Sequence, residues 1–364
     1  MRFDSFLGNT RAVQSVRDML RRGRVPGSLL FTGPEGTGKK TLALMLAKAL
    51  NCERRGPEGD DFCGECSRCR KADEFIATST EDLARRREIK DAQKRTEGLV
   101  YLDVQLIEPI TRYILIEQIR QLRATAYTRP FNFSQRVMIV DQAQAIHWQA
   151  ADLLLKVLEE PPETTTIVLI CPNAYELRPT LRSRCLTLQF APVEEAVIEQ
   201  ILREERGIGN KDLALALRVA NGSIAAARSL DLKSYVEQRR PWLTLLDTVA
   251  RPSSRSLAPP QWKALFDATK QLADERDRVE ESLRTGSILL RDVMHVLVGA
   301  ETGAVTNVDL LPRLESWAKA LGLTRIQKLE EGIERAHSLQ NRNVNQQLTY
   351  DALTAEVLSS PPLS

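Results

Sequence analysis

The stretch "GPEGTGKKT", residues 33–41, decides how this chain is read. A phosphate-binding loop follows the pattern G-x-x-x-x-G-K and then, at once, Ser or Thr. Gly33, Gly38 and Lys39 meet the pattern, and Gly36 lies inside the loop. The next residue is Lys40, and the hydroxyl arrives one position late, at Thr41. The flanks agree with a phosphate site. "GSLLFTG" is a short apolar run that reads as a buried strand, and "TLALMLAKALNC" is strongly helical. That order points the free N–H groups of a helix N-terminus at a phosphate. The loop amides and Lys39 keep the means to cradle one. What is missing is the hydroxyl that normally ligates Mg²⁺, because an ammonium has no lone pair to offer. Thr41 lies ~100° further round the helix, directed away from that position.

Outward from the loop, strands and helices alternate. "YILIEQIRQLRATA" reads as an amphipathic helix, "RVMIVDQAQAI" as a strand ending in Asp141, "WQAADLLLKVLEEPP" as a helix stopped by prolines, and "TTIVLICPN" as a buried strand ending near Asn173. "RPTLRSRCLTLQFAP" carries two arginines into a last strand. The pattern predicts a mostly parallel sheet with helices on both faces and ligands at the strands' C-terminal ends. Strand signals fade from Val193, and the remainder is helical pattern broken by "RPSSRSLAPP" and "GAETGAVTNVD". The organisation expected is an α/β nucleotide-binding domain over 1–192, a small helical lid over 193–232 and an all-α domain over 233–364.

Composition narrows the class. A chain of 364 residues is long enough for two or three domains. Lys plus Arg is 51 against 48 for Asp plus Glu, a net charge of +3, so any DNA contact rests on a local patch or on partners. The N-terminus "MRFDSFLGNT" lacks an apolar signal core and no run has the length of a membrane span, so the expectation is a cytoplasmic protein without a membrane partner. The three histidines, His147, His295 and His337, are scattered, which speaks against a histidine-based metal site or triad. The stretch 80–97, with Arg85, Arg86, Arg87, Lys90, Lys94 and Arg95, reads as a solvated exposed helix or a loosely ordered insertion rather than a DNA contact.

Six cysteines in a reducing compartment point to metal or burial, not to disulfides. Cys52, Cys63, Cys66 and Cys69 follow the spacing C-x10-C-x2-C-x2-C. Four thiolates complete a tetrahedral Zn²⁺ shell with no open position, which makes the site structural. Cys171 and Cys185 sit on segments read as apolar strands and are expected in the core.

"VMIVDQ" supplies the second part of a nucleotide site, an apolar strand ending in the acid, Asp141, that holds Mg²⁺. The following position, where a Glu would activate water, holds Gln142. An amide accepts no proton, and general-base help is worth about 10²–10⁴ in rate. The third part is "LRSRC", residues 181–185. Ser183-Arg184-Cys185 looks like the SRC motif of clamp-loader AAA+ subunits. "LLLKVLEEPPETTTIVLI", then Asn173, then "LRPTLRSRC" is similar to that family in order and wording. With the cysteines, the whole chain resembles the delta-prime type of subunit of the bacterial DNA polymerase III clamp loader, most densely over 6–52 and 114–192, and least over 74–100 and the C-terminal third.

The resemblance implies a five-subunit arc that uses ATP to open a sliding clamp and close it around primed DNA. The partners implied are the gamma/tau and delta subunits, the clamp and, through the complex, primed DNA. Arg184 matches the finger that reaches ATP bound by a neighbour, worth about 10³–10⁵ in phosphoryl transfer, with Arg182 the weaker candidate. The chain's own site, Gly33, Gly36, Gly38, Lys39, Thr41, Asp141 and Asn173, reads as degenerate, with ATP or ADP binding left open. Asn173 matches a sensor position and reads equally as a turn residue. "GSIA" places Ala225 where motor subunits carry a sensor arginine, with Arg228 one turn on. The cluster resembles the family's zinc module, and the helical C-terminal domain implies an oligomerising collar. Two other readings stand beside this one. A gamma/tau-like ATPase would turn over ATP alone. A zinc-bearing DNA-binding module would hold DNA in a salt-sensitive manner.

Overall fold

The computed structural model describes residues 2–91, 93–100, 102–250, 259–274, 279–339 and 346–359. The chain divides into two compact units, Met1–Ile201 with Gly222–Ala226, and Leu202–Asn221 with Ala227–Ser364.

The first unit is built on a five-stranded, wholly parallel sheet. Its strands are β1 (Ser28–Thr32), β2 (Val104–Ile107), β3 (Arg136–Val140), β4 (Thr165–Cys171) and β5 (Leu186–Gln189), in the spatial order β2-β3-β4-β1-β5. All residues of β1 to β4 are buried. That is why these segments read as continuous apolar runs: a parallel sheet is covered on both faces. β5 is one of the two edge strands, buried only at Leu188.

Two apolar layers flank the sheet. On one side α1 (Thr10–Arg21), α2 (Lys39–Asn51) and α3 (Ser67–Glu88) pack with Phe31, Val104, Val137 and Val168. On the other, α4 (Ile116–Ala126), α5 (Trp148–Glu159) and the short α6 (Pro179–Arg182) pack with Leu30, Met138, Ile167 and Leu169. Alternate residues along each strand thus serve opposite layers, the period of two that a pleated strand dictates. The expected α/β architecture is what the first unit has. Cys171 is fully in the core, and Cys185, just before β5, packs at its margin.

As far as Glu88 the charged stretch is helical and mostly exposed, because α3 runs through it; the helix also buries Cys69, Ala72, Phe75, Ser79, Leu83 and Arg86 along one stripe. These recur at steps of three and four, the helical period. The stripe is narrow and ends in an arginine, so composition hides it. Arg86 is 2 % exposed. Its guanidinium pairs with Asp82 at 2.6 Å and donates to the carbonyls of Arg95, Glu97 and Gly98 at 2.8–2.9 Å, closing the loop that follows α3. Arg85 and Arg87 remain exposed.

The second unit is helical: α8 (Asn210–Ala220), α10 (Leu232–Gln238), α11 (Arg240–Val249), α12 (Pro259–Asp274), α13 (Val279–Leu297), α14 (Leu311–Leu339) and α15 (Gln346–Ser359). Helices α7 (Glu195–Glu204) and α9 (Ile224–Ser229) lie at the boundaries between the units. Trp242 is at the centre of the second unit's core and lies so close to Gly286 that a Cβ there would sit 2.6 Å from the indole. Gly322, at φ 62°, kinks α14. The break predicted at "RPSSRSLAPP" falls mainly on residues 251–258, outside the described residues.

Helix α1 is tied to the cysteine-bearing loop by two carboxylates: Glu58 pairs with Arg21 at 2.5 Å, and Asp60 takes two guanidinium groups. Asp60, its side chain 4 % exposed, accepts from Arg17 at 2.9 Å and from Arg21 at 2.7 Å. Burial raises its pKa, but the two guanidinium groups outweigh burial and hold the carboxyl below its ordinary range. A carboxyl with a depressed folded pKa stabilises above its unfolded value and loses that contribution as pH falls through the folded one. Asp60→Asn is therefore expected to cost about 1.5–3 kcal/mol at neutral pH. The gap to wild type closes as pH falls below about 4, which urea denaturation across that range checks.

Candidate functional site

Because the sheet is wholly parallel, its strands end at one edge, where ligands of such sheets bind. There β1 leads into the glycine loop, β2 into Glu108, β3 into Asp141 and β4 towards Asn173. The amide of Gly33 donates to Pro172 O at 3.1 Å and ties the loop to the end of β4. Gly33 and Gly36 have φ of +141° and +72°, and both are crowded. A Cβ on Gly33 would lie 2.1 Å from Phe190 O, and one on Gly36 would lie 2.0 Å from Ser223 Oγ. No side chain fits at either position. Ala225, which stands at the expected sensor position, donates its amide to Gly36 O at 3.3 Å, so the segment 222–226 covers the loop. Gly38 ends the loop against the Phe6 ring.

Lys39 opens α2 and is buried. Its ammonium turns into the loop and donates to Gly33 O at 2.5 Å and Pro34 O at 2.6 Å. Burial lowers its pKa against the attraction of Asp141 and Glu35. Thr41 is half-buried on the first turn of the same helix.

The sheet register brings two acids together. Ile107 pairs with Val140, so the next residue on each strand, Glu108 and Asp141, lies beside its neighbour. Like charges about 4 Å apart at a protein surface repel by about 4 kcal/mol. Lys40 answers that repulsion. Its ammonium bonds to Glu108 Oε1 and lies 3.6 Å from Asp141 Oδ2. Arg87, at the end of α3, takes the other oxygen of Glu108 at 2.9 Å and donates to Pro109 O at 3.2 Å. Burial raises the pKa of Glu108, yet Lys40 and Arg87 outweigh it and hold the carboxyl below its usual range. For Asp141 burial prevails over Lys40 and the pKa is raised, with Glu108 adding to the rise. Sequence reading missed Glu108 and the role of Arg87. The only signal was an acid directly after a short apolar run, and it acquires meaning once the strand order makes β2 and β3 neighbours.

Gln142 is exposed, in the left-handed region at φ 55°, and its amide donates to Asp141 Oδ1 at 2.9 Å. Asn173 acts as a turn residue: its Oδ1 accepts from the Tyr175 amide at 3.0 Å. Arg228 belongs to the second unit, where Glu205 holds it at 2.9 and 3.0 Å. The structure therefore brings together Gly33, Gly36, Gly38, Lys39, Asp141 and the Asn173 turn at one edge.

Arg184 is at the other edge. β5 is in register with β1, Leu186 beside Leu29 and Gln189 beside Thr32. Arg184 precedes Leu186, whereas the glycine loop follows Thr32. At ~3.3 Å per residue, the length of β5 alone separates them by roughly 13 Å. The guanidinium is partly exposed. It pairs with Glu159, at the end of α5, through Nε at 2.6 Å, and donates to Thr180 O at 2.7 Å. Arg182 stacks over Tyr175, with Cζ 4.6 Å from the ring centroid.

The four cysteine thiols lie within 4.8 Å of one another, the one cluster of metal-ligating residues among those described. Backbone amides point at the sulfurs: Cys63 N–H at Cys52 Sγ (3.3 Å), Cys66 N–H at Cys63 Sγ (3.2 Å) and Cys69 N–H at Cys66 Sγ (3.4 Å). Donors aimed at sulfur favour thiolate, the form a metal needs. At Cys66 burial works upward, but the amides and neighbouring thiols bring the group down to about 6. Burial raises Cys52 and Cys69. Four sulfurs at this spacing, with no open position, can hold a single tetrahedral ion.

A family model described as DNA polymerase III, delta subunit, matches residues 8–194. Over 296 residues the chain is 26 % identical to DNA polymerase III subunit delta' of Bacillus subtilis, covering 80 % of this chain and 78 % of that protein. It is 28 % identical over 235 residues to subunit gamma of Buchnera aphidicola, covering 63 % of this chain and 56 % of the relative. Against subunit tau of Escherichia coli it is 28 % identical over 236 residues, 63 % of this chain but only 32 % of the relative. A solved DNA polymerase III gamma subunit-related protein of Thermotoga maritima aligns over 95 % of this chain and 98 % of its own at 16 % identity, with a TM-score of 0.45. No described helix is long and apolar enough to cross a membrane.

The cysteine geometry makes a direct prediction. Elemental analysis of the purified protein is expected to find about one metal ion per chain. Cys66→Ser removes a ligand and the sulfur that caps α3, so it should lose the ion and lower the thermal midpoint; full metal retention would contradict the site.

Proposed function

The chain belongs to the family described as DNA polymerase III, delta subunit, and from that premise we propose that it is a non-motor subunit of a replicative clamp loader. It supplies Arg184 to ATP bound by a neighbouring gamma/tau-type subunit and hydrolyses none itself. The observation that carries this reading is the register of β5 against β1, which sets Arg184 at the sheet edge opposite the chain's own glycine loop. A guanidinium there cannot serve the phosphates of its own loop, while its partial exposure leaves it open to a second subunit. Glu159 and Thr180 O orient the fork, so little ordering remains for the moment of contact.

The chain's own site lacks three hydrolytic parts: Lys40 replaces the metal-binding hydroxyl, Gln142 the base, and Ala225 the sensor arginine. The cysteine cluster holds Zn²⁺ in a structural role, for which the sulfur-only donor set and the amides aimed at it are the support. In the proposed assembly the domains are the nucleotide-binding fold over 1–192, the lid over 193–232 and the collar over 233–364. The delta and gamma/tau subunits are direct partners; the sliding clamp and primed DNA are engaged through the complex.

The test is reconstitution of the loader with wild-type chain, Arg184→Ala or Arg184→Lys. DNA- and clamp-stimulated ATP turnover of the complex is expected to fall about 10²-fold or more with Ala, and lysine, lacking the fork, should restore little of it. Unchanged turnover in a fully assembled Arg184→Ala complex would exclude the trans role.

A further inference from the structure

The Lys40 ammonium is bonded to Glu108 and lies 3.6 Å from Asp141, a pairing that the proposed function leaves unused. In a working phosphate site a hydroxyl and an acid at these positions hold Mg²⁺, which bridges to the phosphate oxygens. Here the same acid faces a fixed cation. Glu108 and Asp141 carry two negative charges, and Lys40 with Arg87 carries two positive ones, so the group is neutral before any metal enters. A divalent ion would add its charge beside an ammonium and compete for carboxylate oxygens already engaged. The loop glycines keep their left-handed conformations and Lys39 stands at the helix start, its ammonium donating to the loop carbonyls of Gly33 and Pro34. Lys40 is 39 % exposed and therefore reachable from solvent, unlike the buried Lys39.

We propose that Lys40 is a built-in counter-cation that takes the metal's place between Glu108 and Asp141, so that a nucleoside di- or triphosphate binds this loop without Mg²⁺. This deepens, and rests on, the reading of the chain as a subunit with a non-hydrolysing site. Lys39 and the loop amides are left to face the phosphates, and no metal is present to polarise the terminal phosphate or to be released. Bound nucleotide then acts as a fixed structural ligand, unaffected by Mg²⁺ concentration.

The test is calorimetric titration of the full chain with ADP and ATP, in Mg²⁺ and in EDTA, for wild type, Lys40→Thr and Lys40→Met. Wild-type dissociation constants are expected to agree within about twofold in the two media. Lys40→Thr restores the metal ligand and leaves Glu108 and Asp141 under-neutralised, so its binding should become at least about tenfold tighter in Mg²⁺ than in EDTA. Lys40→Met removes only the charge, and Mn²⁺ titration without nucleotide should register new metal uptake in both variants. Wild-type binding that requires Mg²⁺, variants that gain no metal dependence, or a wild type that binds no nucleotide in either medium would each overturn the inference. None of these outcomes bears on Arg184, which is read by ATP turnover of the assembled loader.

Discussion

The constraint on which the rest of the first unit depends is the repulsion between two carboxylates that a parallel sheet cannot avoid. Once β2 and β3 pair in their observed register, Glu108 and Asp141 emerge side by side at the edge where the glycine loop also lies. Some cation has to stand between them. The chain supplies Lys40 from the helix after the loop and Arg87 from the helix before β2, so charge compensation ties α2, α3, β2 and β3 together at one point. A site arranged in this way has its acids neutralised by its own side chains.

The same edge explains why the loop's shape does not depend on hydrolytic chemistry. The glycines are demanded by packing as much as by any ligand. Phe190 O, Ser223 Oγ and the Phe6 ring occupy the space where side chains at positions 33, 36 and 38 would go. A site that hydrolyses nothing, as proposed, has no need for a hydroxyl, a base and a sensor. It still needs these contacts, and Ala225 meets the loop through its backbone amide rather than through a side chain.

What was legible in the sequence follows from how local each signal is. The strand, loop and helix around residues 28–51 are read from adjacent residues, and so is the four-cysteine spacing, because each is encoded by short-range periodicity. Asp141 is visible as an acid at a strand end. The sequence contains Glu108 just as plainly, but its meaning depends on which strand lies next to which, and no short-range pattern states that β2 adjoins β3. Arg86 illustrates the opposite failure. A run of arginines reads as surface, yet one of them is turned inward by helical period and closes a loop through three carbonyls. Arg184 lies between these cases: its motif is local, but its placement away from its own loop is a matter of register with β1.

Helix α3 joins two of these features into one lever. Cys66 caps its N-terminus and Cys69 lies in its first turn, while Arg87 is next to its last residue, some 30 Å away at ~1.5 Å per residue. A rigid helix transmits rotation, so the sulfurs that fix its phase at one end also fix the bearing of the guanidinium that reaches Glu108 at the other. The cysteine module thus anchors one end of the helix whose other end presents a distant charge to the strand ends.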